Sequence, residues 1–245
     1  MKDIHDLAGY LGTQFARMRT ADPAAVYVIA VAGGVAAGKS TFAGQLATAM
    51  APWASRIEIV STDGFLFPNT VLAERELSMR KGFPESYDFA GLRKAVADIR
   101  SGKPVALPRY SHVTYDVDIG NPHRIERPDA VILDGLHLGS IDAEALAGAR
   151  LVDCLIYLDA DEDAIERWFT DRLLPLMVAG RDDPKSFYFA FREMDEAARR
   201  DFARRVWLGI NLPNLRDHIV QDRARADVIV QKTPEHGVAA IIPRS

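Results

Sequence analysis

The feature that most constrains this chain is a glycine-rich segment that directly follows a run of apolar residues. Val26 to Ala32 is apolar without alternation, as in a strand that is covered on both faces. The residues from Gly33 to Ser40 match the pattern G-x-x-x-x-G-K-[ST], and Ser40 to Met50 has a helical pattern. A strand, a glycine loop and a helix in this order predict a loop that wraps phosphate groups at the start of a helix.

The loop assigns roles to individual residues. Lys39 is expected to contact the β- and γ-phosphates of ATP, and Ser40 is expected to bind Mg²⁺. A dinucleotide site is excluded, because Val35 stands where G-x-G-x-x-G needs its second glycine. The predicted ATP-binding residues of the loop are Gly33, Gly34, Val35, Ala36, Ala37, Gly38, Lys39, Ser40 and Thr41.

Apolar segments and helical patterns alternate along the chain, which predicts an α/β fold with a mostly parallel sheet flanked by helices in three layers. The predicted strands are Val26 to Ala32, Ile57 to Val60, Ala130 to Leu133, Leu155 to Leu158 and Asp227 to Val230. The predicted helices include Ser40 to Met50, Leu92 to Ile99, Ala164 to Val178 and Glu193 to Ile210. Gly102 to Asn121 is expected to be loop-rich and to lie near the active face.

The length of 245 residues favours one domain over residues 1–245, in which a helix within residues 1–22 packs on the core. A formal net charge of -4 argues against a nucleic-acid partner. The charged start, Met1 to Asp6, does not have the apolar region of a signal peptide, so we expect a cytoplasmic protein without a membrane partner. The single cysteine, Cys154, is expected to be a buried and inert thiol.

Two acidic residues follow predicted strands. Asp63 comes after Ile57 to Val60, at the edge where the phosphate loop lies, and it suits the base that orients an alcohol and accepts its proton. Magnesium binding and a turn or helix-cap role are the alternatives. Asp134 ends the apolar run Val131 to Leu133 and is expected to bind Mg²⁺ directly or through water, unless it is a structural turn residue. Asp159 is expected to cap the helix that follows it.

Longer segments carry a resemblance to a known family. Thr62 to Leu66, Lys81 to Asp88, Pro108 to His112 and Asn211 to Leu215 resemble the type I bacterial pantothenate kinases, P-loop kinases of the phosphoribulokinase and uridine kinase group. The resemblance implies a homodimer that phosphorylates pantothenate with ATP, the first step of coenzyme A synthesis. It implies that Asp63, Lys39 and Arg172 are catalytic, and that Lys232 and His236 flank the adenine. The residues it implies in the acceptor pocket, any of which could instead be an ordinary surface group, are Asp63, Tyr110, His112, Arg172 and Asn211.

The chain also departs from that family. Phe169, Phe187 and Phe191 stand where the family usually has tyrosines, and they are expected to line the acceptor pocket, with core packing as the alternative. Their missing hydroxyls leave open another small alcohol as acceptor, such as a nucleoside or sugar. A non-catalytic nucleotide-binding regulator is the remote alternative.

Four further positions differ from the family pattern. Gly44 replaces an arginine, and Leu176 replaces a phenylalanine associated with feedback by coenzyme A, so we expect weakened or altered feedback. Competitive inhibition by micromolar coenzyme A against ATP would contradict this. Asp134 replaces a glutamate, and His137 is a candidate for a new polar contact.

Overall fold

The computed structural model describes residues 1–144 and 150–244, and within them two sheets. The six-stranded sheet has the order β2-β5-β1-β6-β7-β8, and β3 pairs with β4 in a separate two-stranded sheet. All neighbours in the large sheet are parallel except β7 and β8. The strands are β1 (Tyr27–Gly33), β2 (Ile57–Ser61), β3 (Val105–Ser111), β4 (Asp116–Ile125), β5 (Ala130–Asp134), β6 (Cys154–Asp159), β7 (Val228–Lys232) and β8 (Val238–Pro243).

The helices are α1 (Ile4–Ala21), α2 (Lys39–Met50), α3 (Asn69–Glu74), α4 (Phe89–Arg100), α5 (Glu162–Ala179), α6 (Glu196–Val206), α7 (Leu212–Asn214) and α8 (Val220–Arg225). Two π-helical turns, Trp207–Asn211 and Leu215–Ile219, connect α6, α7 and α8. Such turns widen a helix locally and are frequent at functional sites. No helix in the described ranges has both the length and the apolar character that a membrane span requires.

The central strand β1 is buried along its whole length, because apolar clusters cover both faces of the sheet. Val28 and Ala30 point to one cluster, which includes residues of α4 and α5, and Ile29 and Val31 point to the other, which includes residues of α1 and α2. This arrangement explains the unalternating apolar runs of the sequence. The predicted α/β fold with a mostly parallel sheet between helices is confirmed.

The first helix, α1, lies within residues 1–22 and packs on one face of the sheet layer. Its N-cap is Asp3, whose carboxylate accepts hydrogen bonds from the backbone N–H groups of His5 and Asp6. Leu7 and Leu11 are fully buried in the cluster on the α2 side of the sheet. The indole of Trp53 closes the contact by donating to the carbonyl oxygen of Ala8 at 3.0 Å.

The prediction that Gly102 to Asn121 is loop-rich is wrong. Instead, β3 and β4 form an antiparallel pair with a register shift between Leu107 and Arg109. Pro108 and this irregularity interrupt the alternation of polar and apolar residues, and Leu107 and Ile125 are the only buried residues of the pair. The strand pattern was therefore hidden in the sequence, although the pair does carry residues of the candidate site.

Three further features predicted from the sequence differ in how closely the structure matches them. Asp159 does not cap α5: its carboxylate accepts from Nε of Arg223 at 3.0 Å, and the N-cap position belongs to Asp161. The helix predicted from Glu193 begins at Glu196 and continues through the π-helical turns to Arg225. Cys154 is buried as expected, and burial raises the pKa of its thiol to about 12.

Candidate active site

The phosphate loop lies between the end of β1 and the start of α2. Gly33 has a φ of 147°, and a Cβ atom there would come within 2.8 Å of the carbonyl oxygen of Leu158 in β6. Only glycine meets both conditions, because other residues rarely adopt that φ and would clash with the neighbouring strand. Nζ of Lys39 donates to the carbonyl oxygens of Gly33 at 3.2 Å and Gly34 at 2.9 Å. The glycine pattern thus folds into a compact loop, and the side chain of Lys39 is hydrogen-bonded to two of its carbonyl groups.

Asp134 lies at the end of β5, next to this loop. It is buried, and its side chain forms a hydrogen bond with Ser40. Burial raises the pKa of Asp134, while the Lys39 ammonium and the Ser40 hydroxyl oppose that rise. Burial also lowers the pKa of Lys39, and the carboxylates of Asp134 and Asp63 oppose it. The two predicted magnesium ligands, Ser40 and Asp134, are therefore in direct contact.

Asp63 lies in the short 3-10 helix Thr62–Phe65, which follows β2. Ser61 of β2 is paired with Asp134 of β5, so the parallel register brings both acids to one edge of the sheet. The hydroxyl of Tyr87 donates to Oδ1 of Asp63 at 3.3 Å. Burial raises the pKa of Tyr87, and the Asp63 carboxylate adds to the rise, so this phenol stays a donor at neutral pH.

Aromatic side chains from β3 and from the turn before β4 line the space beside Asp63. The ring of Tyr110 lies 5.2 Å from His112 and 5.9 Å from Tyr115, between ring centroids. The ring of Tyr115 stacks on Phe187 at 4.7 Å. Burial raises the pKa of Tyr110, and neighbouring Tyr115 and Asp63 reinforce it. The structure therefore places Tyr110 at the same site as Asp63.

Helix α5 contributes a positively charged side chain, Arg172, to this site. Burial lowers the pKa of His112, the Arg172 guanidinium lowers it further, and Asp63 and Asp134 oppose both effects. The same guanidinium affects the pKa values of Lys39 and Asp134. Arg172 is thus within electrostatic range of Lys39 in the phosphate loop, of Asp134 and of His112.

Asn211 lies in the first π-helical turn. Its Nδ2 atom is buried and has no hydrogen-bond partner in the described part of the chain. A buried donor without a partner costs stability, so it is rarely kept without a reason such as ligand binding. This observation supports the predicted contact between Asn211 and a substrate.

The three phenylalanines have different surroundings. Phe187 is 39% exposed and packs on Tyr115, so its ring faces the site. Phe169 is buried and lies 6.4 Å from Trp207, and Phe191 lies 4.7 Å from Phe202. Core packing, the alternative given above, describes Phe169 and Phe191 better than it describes Phe187.

The residues predicted around the adenine lie over the phosphate loop. A Cβ atom on Gly38 would be 3.7 Å from Nδ1 of His236 and 4.0 Å from Nζ of Lys232. The imidazole of His236 stacks on Trp168 with 3.9 Å between ring centroids. Burial lowers the pKa values of both Lys232 and His236. The two residues are therefore near the loop although the sequence separates them from it.

Lys81 was not assigned a role from the sequence. Its Nζ donates to Oδ1 of Asn69 and to the carbonyl oxygen of Tyr115, both at 2.6 Å, and lies 4.5 Å from the centre of the Tyr115 ring. Burial lowers the pKa of Lys81 to about 8, against the effects of Asp116 and Asp63. No local pattern distinguishes this lysine from a surface lysine, because its partners come from distant segments.

The polar contact expected of His137 is present, since its Nε2 lies 2.8 Å from the carbonyl oxygen of Gly82. Residues 142–149 carry none of the predicted site residues. Among residues 1–144 and 150–244, no group of three or more His, Cys, Asp or Glu side chains forms a metal cluster.

Comparison with known proteins places the chain in a family. Residues 28–170 match the Phosphoribulokinase / Uridine kinase family. A protein of Sorangium cellulosum named pantothenate kinase is 44% identical over 220 residues, which cover 88% of this chain and 71% of that protein. A pantothenate kinase of Agrobacterium fabrum is 42% identical over 229 residues, covering 89% of this chain and 70% of that protein.

Solved structures agree at the level of the fold. A putative fructose transport system kinase from a Silicibacter species has a TM-score of 0.65 at 20% identity, covering 88% of this chain and 93% of that one. YFH7 from Saccharomyces cerevisiae, a putative P-loop kinase, has a TM-score of 0.64 at 14% identity, covering 94% and 98%. With the sequence relationships and the phosphate loop, these findings show that the chain belongs to the phosphoribulokinase / uridine kinase family and, within it, to the pantothenate kinases.

Proposed function

We propose that this chain transfers the γ-phosphate of ATP to the hydroxyl group of pantothenate. The observation that carries the proposal is the position of Asp63, at the same sheet edge as Asp134 and within electrostatic range of Lys39. A carboxylate beside a phosphate loop can hold an alcohol in line with the γ-phosphate and accept its proton. The relatives named pantothenate kinase support pantothenate as that alcohol.

ATP is held by the backbone N–H groups of the loop and by Lys39, while Lys232 and His236 flank the adenine. Ser40 and Asp134 fit Mg²⁺, because they offer a hydroxyl and a buried carboxylate oxygen in contact with each other. Mg²⁺ keeps several waters and phosphate oxygens as ligands, so it does not need a cluster of protein carboxylates. When bound, it would neutralise charge on the β- and γ-phosphate oxygens.

The reaction forms a bond between the acceptor oxygen and the γ-phosphorus and breaks the bond between that phosphorus and the oxygen it shares with the β-phosphate. The hydroxyl proton goes to Asp63, and ADP leaves. Arg172 and Lys39 stabilise the negative charge on the transferred group. Tyr87 holds the Asp63 carboxylate in place through its hydroxyl.

The acceptor lies against the aromatic surface formed by Tyr110, Tyr115 and Phe187. His112 and Asn211 provide polar contacts, the latter through its unpaired buried Nδ2. Lys81 adds a positive charge close to Asp63, where it can donate to an oxygen of the acceptor. Phe191 packs against Phe187 in this surface, with 5.5 Å between ring centroids.

An acceptor panel tests the proposal. ADP formation is followed at saturating ATP and Mg²⁺ with pantothenate, pantetheine, nucleosides and sugars. We expect the highest kcat/KM for pantothenate. Robust turnover of a nucleoside or sugar with none of pantothenate would overturn the choice of acceptor, and no turnover of any alcohol would favour a nucleotide-binding regulator.

The proposal includes the setting in which the enzyme works. We place it in the cytoplasm, as a homodimer with one kinase domain per chain, at the first step of coenzyme A synthesis. The similarity to the pantothenate kinases supports each of these points. Light scattering on the purified protein tests the dimer, because a monomer at micromolar concentration would contradict it.

A further inference from the structure

His137 is a buried polar residue that the reaction described above does not use. It follows β5 by three residues, is 3% exposed and has a φ of 60°, in the left-handed region that few residues other than glycine adopt. Burial lowers the pKa of its imidazole to about 4, so the ring is neutral near pH 7. A neutral, buried histidine in a costly backbone conformation suggests a specific contact.

The partner of His137 is the carbonyl oxygen of Gly82, 2.8 Å from Nε2. A carbonyl oxygen only accepts, so the ring proton is on Nε2. Nδ2 of Asn214, which lies in α7 between the two π-helical turns, donates to the same oxygen at 2.8 Å. The N–H of Gly82 donates to Oγ of Ser86 at 2.9 Å. The carbonyl oxygen and the N–H group of Gly82 are therefore both hydrogen-bonded.

Gly82 directly follows Lys81, and its φ of 93° turns the chain at that point. The lysine extends to the acceptor side of the site, where it contacts Tyr115 and is within electrostatic range of Asp63. The ring of His137 also meets Tyr87 edge-on at 5.9 Å, and the hydroxyl of Tyr87 donates to Asp63. His137 thus touches two segments that lead to the acceptor side, and it lies three residues after the strand that carries Asp134.

We propose that His137 is a positioning residue that fixes the Lys81–Gly82 turn against the segment that follows β5 and so sets the place of Lys81 in the acceptor pocket. It acts through the Gly82 carbonyl and does not touch the substrate. Since Lys81 lies on the acceptor side, losing this contact weakens acceptor binding and leaves nucleotide binding unchanged. The inference rests on the proposed function for the identity of the acceptor.

A matched pair of variants tests this role. His137→Gln keeps an N–H donor at about the position of Nε2, whereas His137→Met has a similar size and an unbranched side chain but no donor. Both carry the same cost at a φ of 60°. We expect the methionine variant to raise the KM for pantothenate about fivefold, the factor that one lost hydrogen bond implies. The KM for ATP should stay within about twofold in both variants, and the glutamine variant should resemble wild type.

A double variant tests whether the effect passes through the lysine. In the Lys81→Gln background, His137→Met should change the KM for pantothenate by less than about twofold, because the turn then has no lysine to position. Equal defects in the glutamine and methionine variants, an equal rise in the KM for ATP, or an undiminished effect in the Lys81→Gln background would each overturn the proposal.

Two outcomes of these measurements lead to a further experiment. If His137→Met does not fold, Asn214→Asp removes the other donor to Gly82 and should raise the KM for pantothenate selectively; an unchanged KM would overturn the proposal. If wild type phosphorylates a different alcohol, the proposed function fails, and the same KM comparison is made with that alcohol.

Discussion

At the scale of single residues, the site depends on a few charged groups that lie close together. The carboxylate of Asp63 accepts a hydrogen bond from the hydroxyl of Tyr87 and interacts electrostatically with Lys39 and Lys81. Two cations and one phenol donor therefore surround this carboxylate. These neighbours support the role proposed for Asp63, in addition to its position after β2.

Asp63→Asn removes this base with little change in shape. We expect kcat to fall by roughly a hundredfold to ten-thousandfold, the usual contribution of a general base, while the affinity for ATP changes little. Steady-state kinetics and calorimetric titration with ATP measure the two quantities. Asp159→Asn is the matched control, because that strand-ending acid pairs with Arg223. Full activity of the Asp63 variant would remove it as the base.

The phenylalanines allow a test that separates pocket walls from core packing. Phe187→Tyr adds a hydroxyl to a ring that is 39% exposed beside Tyr115, so we expect normal stability and an altered KM for pantothenate. Phe169→Tyr adds a hydroxyl to a buried ring, and an unpaired hydroxyl there should cost about 1 to 3 kcal/mol. Thermal unfolding measures the stability of each variant, and steady-state kinetics measure its KM for pantothenate. The two results together distinguish a pocket wall from core packing. A stable Phe169→Tyr variant with a changed KM would assign Phe169 to the pocket wall instead.

At the scale of elements, α8 is tied to the segment after β5 by a buried acid. Asp222 is 2% exposed and accepts from the backbone N–H groups of Gly139 and Leu138. Its Oδ2 has no hydrogen-bond partner in the described ranges. This carboxyl thus links the helix that ends the π-helical region to the chain that carries His137.

The ionisation of Asp222 predicts a pH-dependent stability. Burial raises the pKa of this carboxyl from 3.8 to about 6, so the folded state favours the protonated form. Its contribution to stability is fully present below pH 3.8 and is lost as the pH rises through 6.

Asp222→Asn should therefore raise the free energy of unfolding at pH 7.5, by up to about 3 kcal/mol, and should have less effect at pH 4.5. Denaturant unfolding of both proteins across this range measures the difference. The comparison uses the difference in unfolding free energy between the two proteins at each pH. The lowered pKa of His137 makes both proteins less stable as the pH falls, which is opposite to the effect of Asp222. A gain that is the same at both pH values would contradict the account.

The elements also show what the sequence could and could not predict. The apolar strands and the glycine loop were predictable, because burial on both faces and the phosphate loop impose strong local patterns. The β3–β4 pair was not, since Pro108 and the register shift break its alternation. Lys81 was missed for a related reason: its partners, Asn69 and Tyr115, become neighbours only when the chain folds.

At the scale of the whole molecule, the sheet gathers the site from distant parts of the chain. The ends of β1, β2 and β5 supply the loop and the two acids, α5 supplies Arg172, and the segment after β7 supplies His236. Ligands that bind only this assembled site must stabilise the folded state. Binding of nucleotide and metal is therefore visible in the unfolding of the entire protein.

ATP with Mg²⁺ should raise the melting temperature by several degrees, since a ligand at about a hundred times its Kd adds roughly 2.7 kcal/mol. EDTA should remove most of the gain. In Asp134→Asn, adding Mg²⁺ to ATP should give a much smaller increase than in wild type. Differential scanning fluorimetry measures all three. An Asp134 variant that keeps the full magnesium effect would exclude this residue as a ligand.

The identity of the phosphorylated product tests the central claim most directly. The protein is incubated with ATP, Mg²⁺ and pantothenate, and mass spectrometry and phosphorus NMR follow the products. The account predicts one phosphate ester on the hydroxyl of pantothenate for each ADP formed by wild type, and a corresponding loss of both products in Asp63→Asn. ADP formation without phosphorylated pantothenate would contradict it.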